Sequence, residues 1–163
     1  MRTILELLAR IATILGVIIA ILVFHYERRK QRAEREKATH ITLATQYLDY
    51  LKLCLDYVEL QVYDYNPNTE AQLNTEQETK QLIIFDMLVQ MFESAFFEYK
   101  TQSSKFKEGR WTEWSKYMRD WCRRKDFQKA WEKHLGYGYE TEFMTHLNQI
   151  MDEVKREQKE KET

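Results

Sequence analysis

The sequence predicts an all-α protein, a single N-terminal transmembrane helix followed by a small antiparallel helical bundle, and three observations carry that expectation. Residues 11–24, IATILGVIIAILVF, hold no charged or strongly polar side chain. Beyond residue 40, apolar residues recur at alternating intervals of three and four in successive segments, the spacing of helix faces. The chain has four glycines and one proline in 163 residues, and no stretch alternates apolar with polar as a half-buried sheet requires.

The apolar run comes first. Fourteen residues reach about 21 Å, short of the roughly 30 Å hydrocarbon core of a bilayer. Extension over residues 4–26 gives about 35 Å and includes Glu6 and Arg10, four apart on one helical face, where they partly neutralise each other. Tyr26 then lies where interfacial aromatics lie. A cleaved signal peptide needs a small-x-small site, whereas His25, Tyr26 and charges follow this run. A buried helix of a soluble domain is the other alternative. A collar of Arg28, Arg29, Lys30 and Arg32 follows, extended by Arg35 and Lys37. Only Arg2 and Arg10 lie on the other side, so the body is expected in the cytoplasm. Cys54 and Cys122 would then be ordinary thiols in a reducing compartment. Ala12, Gly16 and Ala20 recur at intervals of four, a small-residue face on which a second membrane helix, of this chain or another protein, can approach closely.

The expected organisation is an anchor over 1–26, a basic juxtamembrane helix over 27–40, a bundle over 41–154 and a charged tail over 155–163. The whole chain has 25 basic and 26 acidic residues. Removing residues 1–37, with eight basic and four acidic, leaves 17 against 22, a net charge of −5. A nucleic-acid partner is not expected from that balance.

Each helix has its own pattern. Ile41, Ala44, Leu48, Leu51, Leu55, Val58, Val62 and Tyr65 form a seam, with a second stripe of Leu43, Tyr47, Tyr50, Cys54 and Tyr57 about 100° round. Both are expected in one wide buried face, and Asn66-Pro67-Asn68 should end the helix. Thr75-x-x-Glu78 reads as a capping box for a second helix. That helix carries Leu82, Phe85, Val89, Phe92, Phe96 and Tyr99, is apolar nearly all round, and should be central. Trp111, Trp114, Met118 and Trp121 mark a third. Asp126 should cap a fourth, bearing Phe127, Ala130, Trp131 and Leu135, and Gly136 and Gly138 stop it. Thr141 should cap a fifth, with Phe143, Leu147, Ile150, Met151 and Val154 inward, fraying into the tail.

Chemistry is sparse. The tryptophans read as core packing before a ligand cage. Arg119, Arg123, Arg124 and Lys125 form a group for an acidic partner or lipid phosphates, with a solvated basic edge as the plain alternative. No catalytic or metal site is expected: Glu142 and His146 form one helical pair, His25, His40 and His134 lack ligand-spaced companions, and no phosphate-cradling glycine loop is present. No cofactor is expected either. An enzymatic alternative rests on the polar arc of the second helix, Asp86, Gln90, Glu93 and Ser94, or on His134.

The run FESAFFEYK from Phe92 to Lys100, the Trp111-x-x-Trp114 pair, the segment YMRDW from Tyr117 to Trp121, Phe127-x-x-x-Trp131 and a last Phe143-containing helix resemble an uncharacterised bacterial family. Its members place one membrane helix before such a domain, and some related sequences carry a phage abortive-infection label. The resemblance covers about residues 1–152 and rests on core aromatics. It implies a bacterial inner-membrane protein with a cytoplasmic body, and supplies no catalytic residues. The expected function is a single-pass, non-enzymatic accessory or scaffold protein that contacts the lipid bilayer and packs on a membrane partner or on itself. A phage-defence sensor or effector is the alternative that the resemblance implies.

Overall fold

In the computed structural model the described backbone covers residues 2–63, 72–100 and 105–161; the side chains of residues 1–14, 18, 32, 33, 36, 39 and 105–107 are outside the description. All regular structure among the described residues is helical: α1 (Arg2–Asp56), α2 (Thr75–Ala95), α3 (Lys105–Cys122), α4 (Lys125–Ala130) and α5 (Thr141–Lys161). A 3₁₀ turn, Val58–Leu60, follows α1, and π-helical turns, Phe96–Lys100 and Trp131–Leu135, extend α2 and α4. The chain divides into two compact units, Met1–Thr42 and Leu43–Thr163.

The first unit is the N-terminal part of α1. Leu15, Val17, Ile19, Ile21, Leu22, Val23 and Phe24 are all more than half exposed, and the Arg28 guanidinium lies 4.4 Å over the Phe24 ring. Among the described residues, no helix is long and apolar enough to cross a membrane. The 4–26 span expected from sequence enters that description only from Leu15 onward.

The second unit is built around α2. Phe85, Leu88, Val89, Phe92, Ala95 and Phe96 are essentially inaccessible, which follows from a helix with apolar residues on most of its circumference. Its first turn is held by Asn74, whose side chain accepts the Gln77 amide at 3.0 Å while the Gln77 side chain accepts the Asn74 amide at 3.0 Å. The box therefore sits one residue before the expected Thr75 and Glu78; asparagine caps at least as well as threonine, and Gln77 supplies the reciprocal acceptor.

The aromatic stripe of α3 packs edge-on against α2. Trp111 meets Phe96 at 5.9 Å between ring centroids, Trp114 meets Phe92 at 6.2 Å and Trp121 meets Phe85 at 5.8 Å. Such pairs contribute about 0.5–1.5 kcal/mol each beyond their burial. Trp131 is buried and its indole donates to the Asn148 side chain at 2.8 Å. The tryptophans thus contact rings and an amide of their own chain, as core packing requires.

The last helix buries Phe143, Leu147, Ile150, Met151 and Val154, the five residues its spacing places on one face. It continues through the expected charged tail: Lys155 pairs with Glu132, Glu157 with Arg119 and Arg123, and the Gln158 amide donates to the Arg123 carbonyl at 2.9 Å. Thr141 is its first helical residue rather than its cap. Likewise α4 begins at Lys125, placing Asp126 inside the first turn, where it accepts the Phe127 amide at 2.8 Å.

The largest departure from expectation concerns α1. It stops at Asp56, and Gln61 takes a left-handed conformation at φ 50°. That turn folds Leu60 and Val62 into the core, whereas the sequence seam places Val62 on a continuing helix. Tyr65 and the Asn66-Pro67-Asn68 stop lie outside the described residues.

Candidate functional site

A helix with two apolar stripes about 100° apart cannot turn both fully toward one core. The second unit takes the tyrosine-rich stripe of α1. Leu43, Tyr50 and Cys54 are buried and Tyr47 and Tyr57 half-buried, with the Tyr50 ring edge-on to Trp121 at 6.4 Å and Tyr47 edge-on to Tyr117 at 6.0 Å. Long rings bridge to the α3 aromatics where branched aliphatics would fall short. The aliphatic seam, expected inside, is instead displaced to the surface. Leu48 is 58 % exposed, Leu55 76 % and Val58 67 %, with Ala44 exposed and Leu51 half-buried between them. Ile41, in the first unit, is also exposed.

The small-residue face contains Gly16 and Ala20, both exposed; the side chain of Ala12 is outside the description. A Cβ added at Gly16 would meet nothing within 4 Å. Among the described residues, no contact calls for a glycine there. Of the collar, Arg28, Arg29 and Lys30 are exposed, and the Arg32 side chain is outside the description.

The basic group of the second unit has a different fate. Arg124 is only 8 % exposed. Its guanidinium donates to the carbonyls of Val62 and, at 3.1 Å, Gln61, forms a fork on Asp126 at 2.7 and 3.1 Å, and lies 4.2 Å over the Trp121 ring. It ties the left-handed turn after α1 to the start of α4. Arg119 is paired with Glu153 and Glu157, and Arg123 with Asp120 at 2.5 Å. These three arginines are thus committed to their own chain, while Lys125 is exposed.

The carboxylates of the α2 polar arc are also structural. Asp86 accepts the Tyr139 hydroxyl, and Glu93 accepts the Glu140 amide at 2.8 Å, so both fasten the entry to α5. Burial, followed by the Asp86 contact, holds the Tyr139 phenol well above its ordinary range. Glu93 is half-buried and receives the backbone N–H at the entry to α5. His146 does not pair with Glu142: its ring lies 5.1 Å from Phe96 and 5.4 Å from Trp111, and burial pushes its pKa down. His134 is exposed.

The thiols are poorly placed for nucleophilic work. Cys122 is buried and burial pushes it up to about 12, and Cys54 is raised by the same cause. A thiol held protonated in this way is a weak nucleophile. Among the described residues no group of three His, Cys, Asp or Glu side chains is placed to hold a metal ion.

Sequence reasoning missed three features: the buried Arg124, the anchoring of α5 by Asp86 and Glu93, and the exposure of the seam. Only the last had a sequence signal, in the two competing stripes of α1. Comparison of the chain with protein-family models, with curated proteins and with solved structures finds no match.

Proposed function

We propose that this chain is a membrane-tethered, non-enzymatic scaffold that self-associates in parallel through the aliphatic seam of α1. The observation that carries the reading is the exposure of Leu48, Leu55 and Val58 on a helix whose neighbouring stripe is packed. Leaving such groups in water forfeits about 25 cal/mol per Å² of apolar surface. Alternating spacings of three and four suit a second helix laid alongside.

Magnitude decides what else is needed. The seam amounts to a patch on the order of a few hundred Å², the size at which exposed apolar surface marks a contact. A stable interface takes about 800 Å² from each partner. The seam alone is too small, so the N-terminal run must contribute. Its exposed residues, from Leu15 to Phe24, point in every direction round the helix at 100° per residue, which suits lipid on all sides. A bilayer would hold two copies parallel and concentrated. The collar of Arg28, Arg29, Lys30 and Arg32 sets the body on the cytoplasmic side.

A second copy is favoured as the partner because Ala44, Leu48, Leu51, Leu55 and Val58 repeat at heptad spacing, so that two parallel copies in register bring like positions face to face, as a two-fold pairing requires.

The test is the oligomeric state of the full chain in lipid bilayers, read by single-molecule photobleaching. Leu48→Glu with Leu55→Glu should shift a dimeric population to monomers while circular dichroism stays unchanged, because both side chains lie outside the core. A chain released from membranes by alkaline carbonate would contradict the tether, and one monomeric in the bilayer before substitution would contradict self-association.

A further inference from the structure

The first turns of α2 and the outer side of α4 enclose an open groove of about 610 Å³, within the usual size range of small-molecule sites, roughly 300–1,000 Å³. One wall carries Lys125, Lys129 and Lys133 at intervals of four, with His134 beside the last. The other is the start of α2, bearing Thr75, Glu78 and Thr79; Leu82 and Phe85 add apolar lining.

The three lysines differ from the cations around them. Arg119, Arg123, Arg124 and Lys155 each hold a carboxylate. Among the described residues, none lies within ion-pair distance of Lys125, Lys129 or Lys133. Spaced four apart on a short helix, they repel one another. The α2 N-terminus beside the groove is already capped by Asn74 and carries Glu76 and Glu78 in its first turn, so the lysines are the source of positive potential here. Asp126, also in the lining, is already neutralised by Arg124. That leaves Glu78 as the one lining carboxylate without an ion pair among the described residues.

We propose that the groove binds a soluble phosphomonoester of a polyol. A dianionic phosphate would sit on the lysine wall and relieve its repulsion. The hydroxyl groups would donate to Glu78 and exchange hydrogen bonds with Thr75 and Thr79, and the carbon skeleton would lie on Leu82 and Phe85. A bare anion leaves Glu78 facing it at a cost, which is why the hydroxyl-bearing portion belongs to the ligand.

The test is lysine acylation footprinting of the full chain in phosphatidylcholine nanodiscs, read by mass spectrometry at constant ionic strength. Glucose 6-phosphate should slow the labelling of Lys125, Lys129 and Lys133 saturably, whereas glucose should not. Lys52 and Lys116, exposed elsewhere, should be unaffected. Lys129→Glu should weaken the effect at the other two lysines about tenfold, the loss expected for one charge-assisted contact, without lowering the thermal midpoint. Equal protection at Lys52 and Lys116, an unchanged response in Lys129→Glu, or protection that requires phosphatidylglycerol in the disc instead of the soluble ester would each overturn the proposal. None of these outcomes depends on whether the chain self-associates.

Discussion

At the scale of single residues, Arg124 is the side chain on which most depends. A guanidinium this buried is tolerable only because two carbonyls, a carboxylate and an indole face satisfy it. Arg124→Met should therefore destabilise the second unit by about 3–5 kcal/mol, since Asp126 and the Gln61 and Val62 carbonyls lose their donor. Urea unfolding followed by tryptophan fluorescence measures this, and a loss below 1 kcal/mol would contradict the clamp. Nothing in the sequence marked the residue: a basic side chain in a run of Arg123, Arg124 and Lys125 reads as solvated, and its carbonyl partners lie about 60 positions away. His146 supports a pH prediction. Its pKa in the fold is lowered by burial, so the unfolded chain takes up the proton first as pH falls through the ordinary value of 6.5. Stability present above that value is lost below it. His146→Phe should flatten the decline in thermal midpoint between about pH 6.5 and 5, whereas a decline as steep as in the unsubstituted chain would show that other groups cause it.

At the scale of elements, faces were more legible than ends. The inward residues of α5 follow from spacing because that helix offers the core one dominant surface, and the central place of α2 follows from apolar residues on most of its circumference. On α1 two apolar stripes compete, and periodicity cannot rank them. The reach of Tyr47 and Tyr50 toward Tyr117 and Trp121 decided it. The starts of α2 and α5 were displaced by one residue, and the cap position of α4 by two, to Arg124, which makes no side-chain cap bond. For α2, Asn74→Ala should cost about 1 kcal/mol by urea unfolding, whereas Thr75→Ala should cost less than half of that. The reverse order would restore the cap to Thr75. The turn from α4 to α5 depends on Gly136, whose amide donates to the Trp131 carbonyl at 2.9 Å and whose position leaves 3.0 Å between an added Cβ and that oxygen. Gly136→Ala should lower stability by about 1–2 kcal/mol through that crowding, and an unchanged midpoint would mean that the π-helical turn yields freely.

At the scale of the whole molecule, the packed second unit explains its own aromatics, arginines and acidic residues. It does not explain the aliphatic row of Leu48, Leu55 and Val58 left exposed on α1, which follows if a second copy lies alongside. Heptad phase then assigns positions: residues 48 and 55 face their counterparts across the pair, while residues 49 and 56 point away. Disulfide formation is sensitive to such differences, because the two β-carbons must approach to about 3.5–4.5 Å. The most direct measurement is oxidative cross-linking of single-cysteine substitutions in native membranes, in a background where Cys54 and Cys122 are replaced by serine and alanine. Leu48→Cys and Leu55→Cys should give covalent dimers, and Asp49→Cys and Asp56→Cys should not. Equal yields at all four positions, or dimers at none, would contradict a parallel pairing through the α1 seam.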